Sequence, residues 1–534
     1  MRSDHLLLTF ALVASSTIQI INGQQHRNVL TTPNGDNDNY KSLGGIQTII
    51  EYVDDVGRQL VMDKAKKIHV DAGKFHFLSA ELLAEADVDL LRRSPHIRSV
   101  EQDVDDPIFE AVPFIDDVKD SDRDDGEIFN RRKQRRVDEI IPEAVTIIQA
   151  HKLDMGSDPP TICICDSGYA LGHPDLPQPP QVQGTDMKLI SGRVLRWDED
   201  HAGHGTESAS IIAAIEGNGQ GLRGASPGVR LHITRGLDDD KRSTVSQMFR
   251  AIQQCVDAGA QIINLSLGCA CEEGPDSNCK STRCVSEPME RYFANLAAGG
   301  IMVIAAAGNQ GREVAFYPAS YPSVVSVGAV SRKLEKFNLS NSNPQVELMG
   351  LGMGVNVLGV KNLDTYSFNE KTSGTSVATS GVAAAAALLW SHFPQCNGTQ
   401  IRTALGRTAI NVNGCDHNTG FGMVQVKDAY DLLITEGCEL NGRLYHGGDS
   451  CDAEFLKMKA LTTLPTASPS HLPSTDSPTI APTEMPTTPI TMSEEPTEAA
   501  DSMNSIGKST SAAYTVKVEL LLLLSSSMLC LLLS

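Results

Sequence analysis

Basic residues are scarce in this chain of 534 residues: 45 Lys and Arg stand against 66 Asp and Glu, a formal net charge of −21. Phosphate backbones bind basic surfaces, so this balance argues against a nucleic-acid partner. Aromatics reach only 5%, which removes a base-stacking platform and a prion-like composition. No repeat at a solenoid period is visible. Twelve cysteines are too few for a small disulfide scaffold, yet many for a reduced cytosolic enzyme. What is present is 41% hydrophobic residues, enough for a large core, in a length that suits about three to four segments.

The two ends set the compartment. Arg2, the apolar stretch Leu6 to Ile21 and the small Gly23 read as a secretory signal over 1–23. Residues 461–511 are dense in Thr, Ser and Pro and form an extended, O-glycosylated stalk, since such a composition cannot offset its ordering entropy. Residues 512–534 end in the apolar run Leu520 to Leu533, short for a bilayer crossing and with no basic stop behind it. With small residues upstream, this fits a GPI-type signal; a short transmembrane tail is the alternative. Either tethers the protein to the outer face of the plasma membrane. Sequons stand at Asn338 and Asn397, and at Asn264 inside an apolar strand.

Loss of the tail takes Cys530 and leaves an odd number of cysteines. Cys269, Cys271, Cys279 and Cys284 crowd a polar loop without histidine, so disulfides are favoured over zinc. Cys396 beside Cys415, and Cys438 beside Cys451, predict local bridges; Cys163 and Cys165 predict buried thiols.

The middle divides into a small α/β unit at 46–103 and a large one at 137–435, followed by a Cys-containing extension at 436–460. In the small unit, 46–53 and 96–103 read as strands, and 79–94 as a helix with Ser79 as N-cap. An acidic linker, 104–136, ends in the basic cluster Arg131 to Arg136. Between two folded units of a secreted protein this predicts a processing site at Arg135 and Arg136, with cleavage after Arg136. In 137–435, unbroken apolar runs at 161–165, 229–234, 261–267, 301–307 and 324–330 alternate with helical patterns such as 244–259. That is an α/β fold, a parallel sheet with helices on both faces. Ligands in such folds bind beyond the carboxyl ends of the strands.

Those strand ends carry the chemistry. Asp166 closes the first run in "ICICDSGYALGHPDL", His204 opens a helix in "HAGHGTESAS", Asn309 follows a strand in "AAAGNQG", and Ser376 opens a helix in "SGTSVATSG". A serine hydroxyl is a poor nucleophile until a base takes its proton. A neutral imidazole can do so, and a carboxylate behind it fixes the tautomer. The oxyanion that follows needs donors already in place, which the Asn309 amide and the Ser376 backbone N–H provide.

These blocks, with "NLSLG" and "YPASYPSVVSVGAV", resemble the subtilisin-like (subtilase) serine proteases over about residues 137–435, in the family's own order of Asp, His and Ser. The resemblance implies a secreted endopeptidase made as a zymogen, with 46–103 as its inhibitory propeptide, acting on protein or peptide substrates. It assigns Asp166 as orienter, His204 as base and then acid, Ser376 as nucleophile and Asn309 as oxyanion donor. Ser266, Leu267 and Gly268 would pair with an extended substrate backbone, and Ala306, Ala307 and Gly308 would line the pocket before the scissile bond. No cofactor is required for the chemistry. A structural calcium ion is implied, with the loop Glu216 to Gly221 as its place. Asp238, Asp239 and Asp240 would favour basic substrates if they edged the cleft. The chain departs from the family at Ser380, Glu207 and Gly350 to Gly352. These departures, with the stalk and anchor, motivate one competing reading: a non-catalytic surface adhesion protein on the same scaffold.

Overall fold

The computed structural model describes residues 45–103, 109–112, 139–189, 191–271, 284–362, 365–411, 414–442 and 444–452. The expected signal segment 1–23, stalk, anchor and basic cluster with Arg135 and Arg136 lie outside them. Among the described residues no helix is long and apolar enough to cross a membrane.

The small unit runs β1 (Ile46–Tyr52), α1 (Asp55–Lys64), β2 (Ala65–Ala72), β3 (Phe77–Leu82), α2 (Glu85–Arg92) and β4 (Ile97–Gln102). Its antiparallel sheet has the order β2-β3-β1-β4. Asp54 caps α1 by accepting from the Gly57 N–H. The helix expected over 79–94 is shorter, and Ser79 is not its cap. Residues 77–82 pair with β1 and β2 at once and are buried throughout, so sheet pairing overrides local helical spacing, and the helix starts at Glu85.

Four residues of the predicted linker also form structure. Phe109–Ala111 is a short strand, β5, seated on the large unit.

The large unit continues with α3 (Glu143–Ile147), β6 (Thr161–Asp166), β7 (Val182–Thr185), β8 (Met187–Lys188), β9 (Val194–Leu195) and α4 (His204–Ala213). Next come β10 (Arg230–Arg235), β11 (Arg242–Ser243), α5 (Val245–Asp257), β12 (Ile262–Leu265), β13 (Leu267–Ala270) and α6 (Glu287–Ala298). Then follow β14 (Met302–Ala306), β15 (Phe316–Tyr317), β16 (Val325–Val330), β17 (Val346–Leu351), β18 (Val355–Asn362) and β19 (Thr365–Thr372). Helices α7 (Thr375–His392), α8 (Gly398–Thr408) and α9 (Val426–Glu436) complete it. The central sheet is seven-stranded and parallel, in the order β17-β16-β14-β12-β6-β10-β7.

Alternation along β6 divides the core. Ile162 and Ile164 face the cluster that holds the α4 and α7 side chains, while Cys163 and Cys165 face the one that holds α5 and α6. Helix α7 is buried on every side over Thr375–Ser391, the mark of a central helix. On the opposite face, α5 and α6 also receive the small unit: Phe77 lies against Phe249 and Tyr292, with Phe75 edge-on to Tyr292 at 5.8 Å.

The cysteines pair across space rather than along the chain. Cys163 is bonded to Cys255 on α5, with Cα atoms 5.5 Å apart, because both project into the same face. It is therefore not the thiol expected; Cys165 is free and buried. Cys269 joins Cys284 within the crowded loop. The local bridges expected at Cys396–Cys415 and Cys438–Cys451 are replaced by Cys396–Cys438 and Cys415–Cys451, which pin the C-terminal extension to the core. Arg402 on α8 meets Glu347 on β17 as a fully buried pair and stacks over Tyr445 of the same extension.

Candidate active site

Asp166 ends β6, and the chain must turn there. One of its oxygens accepts from the Ser167 N–H at 2.7 Å and meets His204 Nδ1 at 2.7 Å, both side chains fully buried. The other accepts from Ser208 Oγ at 3.4 Å. His204 is the first residue of α4, so its ring rides on a rigid helix end.

A second buried carboxylate, Asp200, fixes that end. It accepts from the Gly203 N–H (2.8 Å), the Thr206 N–H (2.9 Å), Thr206 Oγ1 (2.7 Å) and Ser167 Oγ (2.9 Å). Ser167 Oγ in turn accepts from the Gly205 N–H at 3.0 Å. Asp200 thus ties the residue after Asp166 to the turn that presents His204. Sequence reading missed Asp200, although a carboxylate just ahead of a helix is a start signal.

Ser376 is the second residue of α7 and faces the same point. Asn309 lies in the loop after β14, where its Oδ1 accepts from the Thr375 N–H (2.9 Å) and Thr375 Oγ1 (3.0 Å). This sets the planar amide, with oxygen toward the helix N-terminus and the donor nitrogen on the other fork. Gly308 before it has φ +96°, and a Cβ there would overlap Asn341, Gln310 and Phe316. Asn341 Nδ2 holds the Ala307 carbonyl at 2.9 Å, locking the loop from behind.

The four side chains do not surround empty space. Ser376 Oγ donates to the Val112 carbonyl oxygen at 2.6 Å, and His204 Nε2 lies 3.1 Å from the same oxygen. Val112 directly follows β5, which inserts between two edges. Ala111 pairs with Leu267 and Glu110 with Gly268 on β13, while Glu110 and Phe109 face Arg242 and Ser243 on β11. The Val112 N–H donates to the Ser266 carbonyl at 3.1 Å and the Ala111 N–H to that of Lys241 at 2.9 Å. Ser266, Leu267 and Gly268 thus pair with the chain's own extended segment, by strand addition.

Of the three predicted pocket residues, Ala306 packs with Val112. Ala307 turns into the main core instead, because successive residues of an extended chain face opposite sides. Gly308 shapes the loop. The acidic loop does not present three open charges: Asp239 is ion-paired to Arg193 and Arg235, and an Asp238 oxygen accepts from the Asp240 and Arg242 N–H groups. Ser380 spends its hydroxyl on the Ser376 carbonyl at 3.1 Å, so this departure leaves α7 intact.

At the expected calcium loop, Glu216 is ion-paired to Arg223 and Glu139 accepts from the Gly217 N–H. Asp175 accepts from Asn218 Nδ2 and the Leu222 N–H, and burial pushes its carboxyl up to about 6. Among the described residues no three His, Cys, Asp or Glu side chains gather as a metal site. In this arrangement these carboxylate oxygens meet N–H donors.

Fold and site together define a serine-type peptidase. The model of the subtilase family matches residues 157–422. Subtilisin DY of Bacillus licheniformis is 32% identical over 301 residues, covering 54% of this chain and 99% of that protein. A thermophilic serine proteinase of Bacillus sp. (strain AK1) is 33% identical over 278 residues, 51% of this chain and 62% of its own. The crystal structure of a psychrophilic subtilisin-like protease from Pseudoalteromonas sp. AS-11 aligns with 56% of this chain and 99% of its own at 22% identity and a TM-score of 0.47. The chain belongs to the subtilase family and is a serine-type endopeptidase.

Proposed function

We propose that Asp166, His204, Ser376 and Asn309 carry the hydrolysis. Ser376 Oγ attacks a peptide carbonyl while His204 Nε2 takes its proton, and ionised Asp166 holds the imidazolium through Nδ1. The tetrahedral oxyanion is met by the Asn309 amide and the Ser376 N–H. His204 returns its proton to the leaving amine, and a water molecule then releases the acyl group by the reverse steps. The observation that carries this reading is the convergence of Ser376 and His204 on one carbonyl oxygen of a strand-paired segment.

The same observation supports a zymogen. Phe109 to Val112 fill the last four positions before a scissile bond, with the small unit acting as the folded handle behind them. The bond presented is Val112–Pro113, a tertiary amide whose leaving nitrogen lies in a rigid ring. Cleavage after Arg136 in the linker would free the strand to leave. The reading places the enzyme outside the cell, with 1–23 as export signal and 512–534 exchanged for a lipid on the outer face of the plasma membrane. Exposed Asn338 and Asn397 suit glycans, whereas Asn264 is fully buried.

A fluorophosphonate probe tests the core of this. Processed protein is expected to label at Ser376, and Ser376→Ala is expected not to label and to accumulate uncut precursor if maturation is autocatalytic. Absence of labelling in processed wild type would sink the catalytic reading in favour of the adhesion protein. Release from cells by a phosphatidylinositol-specific phospholipase C tests the anchor; retention would point to a transmembrane tail.

A further inference from the structure

The strand in the groove also reports what the groove accepts. Val112 is 2% exposed and packs against Ala306, Phe316 and Ala270. Phe316 belongs to β15, which pairs with β13 so that Phe316 lies opposite Ala270. Its backbone is held at both ends by Ser320: the Phe316 N–H donates to Ser320 Oγ at 3.0 Å, and the Ser320 N–H donates to the Phe316 carbonyl at 2.8 Å. Its ring lies between two glycines on opposite walls. A Cβ on Gly268 or on Gly308 would overlap the ring. The ring thus fills the space between the two walls beside Val112.

We propose that Phe316 is the floor of the pocket for the residue before the scissile bond, and that it restricts that residue to small or β-branched apolar side chains of about valine size. This rests on the hydrolytic reading above and supplies its substrate class: extended peptides ending in Val or Ala at the cut. Phe, Tyr, Lys and Arg are excluded by volume, because a close-packed pocket accommodates added atoms only by straining its walls. The compensated acidic loop adds no attraction for a basic residue there.

The test uses the full chain, expressed with its propeptide and purified after processing, with tetrapeptide p-nitroanilides Phe-Glu-Ala-X. For X = Val, kcat/KM is expected to exceed that for X = Phe by at least about 10-fold, the scale on which apolar pockets sort neighbouring sizes. In Phe316→Ala the order is expected to invert. A preference for Phe in the wild type, or an unchanged ratio in Phe316→Ala, would overturn the proposal. Should that variant not fold, product peptides Phe-Glu-Ala-Val and Phe-Glu-Ala-Phe decide on wild-type enzyme: the first is expected to inhibit more tightly, and equal inhibition would also overturn it. Fluorophosphonate labelling separates the two levels. Unlabelled enzyme defeats hydrolysis itself, whereas labelled enzyme that prefers large residues defeats only the role of Phe316.

Discussion

Asp200 and Asp166 are both buried carboxylates within reach of one helix end, but their tasks differ. Asp166 touches the imidazole. Replacing it with Asn removes the charge behind the ring and favours the wrong tautomer, so Asp166→Asn is expected to lower kcat by roughly 10⁴-fold, a magnitude carried over from known serine proteases. Asp200 acts only by position. Asp200→Ala would leave the Gly203 and Thr206 N–H groups unsatisfied in a dry site, at about 1–3 kcal/mol each. We expect a lower melting temperature and a kcat reduced about 10- to 100-fold with little change in KM, since a small misplacement of His204 suffices. A variant that loses stability but keeps kcat would assign Asp200 to folding alone.

At the scale of elements, the small unit is held by charge as well as by aromatic packing. Glu51, 2% exposed, meets Arg291 on α6. Asp103 accepts from the Ser246 N–H at the start of α5, and Glu101 accepts from Ser286, the N-cap of α6. Carboxylates at two helix N-termini are favoured by the helix dipole and by otherwise orphaned N–H groups. In a Ser376→Ala background, Asp103→Ala is expected to weaken the seat of the small unit by about 0.5–2 kcal/mol, read as faster amide exchange along β1 to β4. Unchanged exchange would show that the aromatic contacts suffice. β5 was the element least legible in advance. Phe-Glu-Ala-Val is short, sits in an acidic run and has no strand signal of its own; the edges of β11 and β13 make it a strand. The 79–94 segment failed differently, since its apolar spacing suits a helix locally while β1 and β2 claim Phe77–Leu82.

Taken whole, the catalytic fold was readable because its chemistry demands particular residue types at element boundaries: Asp166 ends a strand, Asn309 follows one, and His204 and Ser376 open helices. Disulfide partners and the contents of the cleft were not readable, because they depend on which surfaces meet after folding. The same meeting of surfaces creates a pH dependence. His69 on β2 is half-buried with Nε2 unpartnered, and burial, helped by the Arg250 guanidinium, pushes its pKa down to about 4. The packed state therefore favours the neutral ring. Its contribution is complete above about pH 6.5 and is lost as pH falls from there toward 4. Glu101, raised by burial, works in the opposite sense. His69→Gln in the Ser376→Ala chain is expected to move the acid midpoint of unfolding to lower pH. An unmoved midpoint would shift the dependence to His173, whose pKa burial also lowers to about 4.

Because β5 and the groove belong to one molecule, their encounter is governed by tether length and not by how much protein is present. If the chain is a zymogen as proposed, dilution does not wake the latent form, and a rival peptide must outcompete a local concentration on the millimolar scale. On the same reading, a nick between them would turn the plug into a separate solute. From that moment the onset of proteolysis depends on volume, so a dispersed population would awaken sooner than a crowded one.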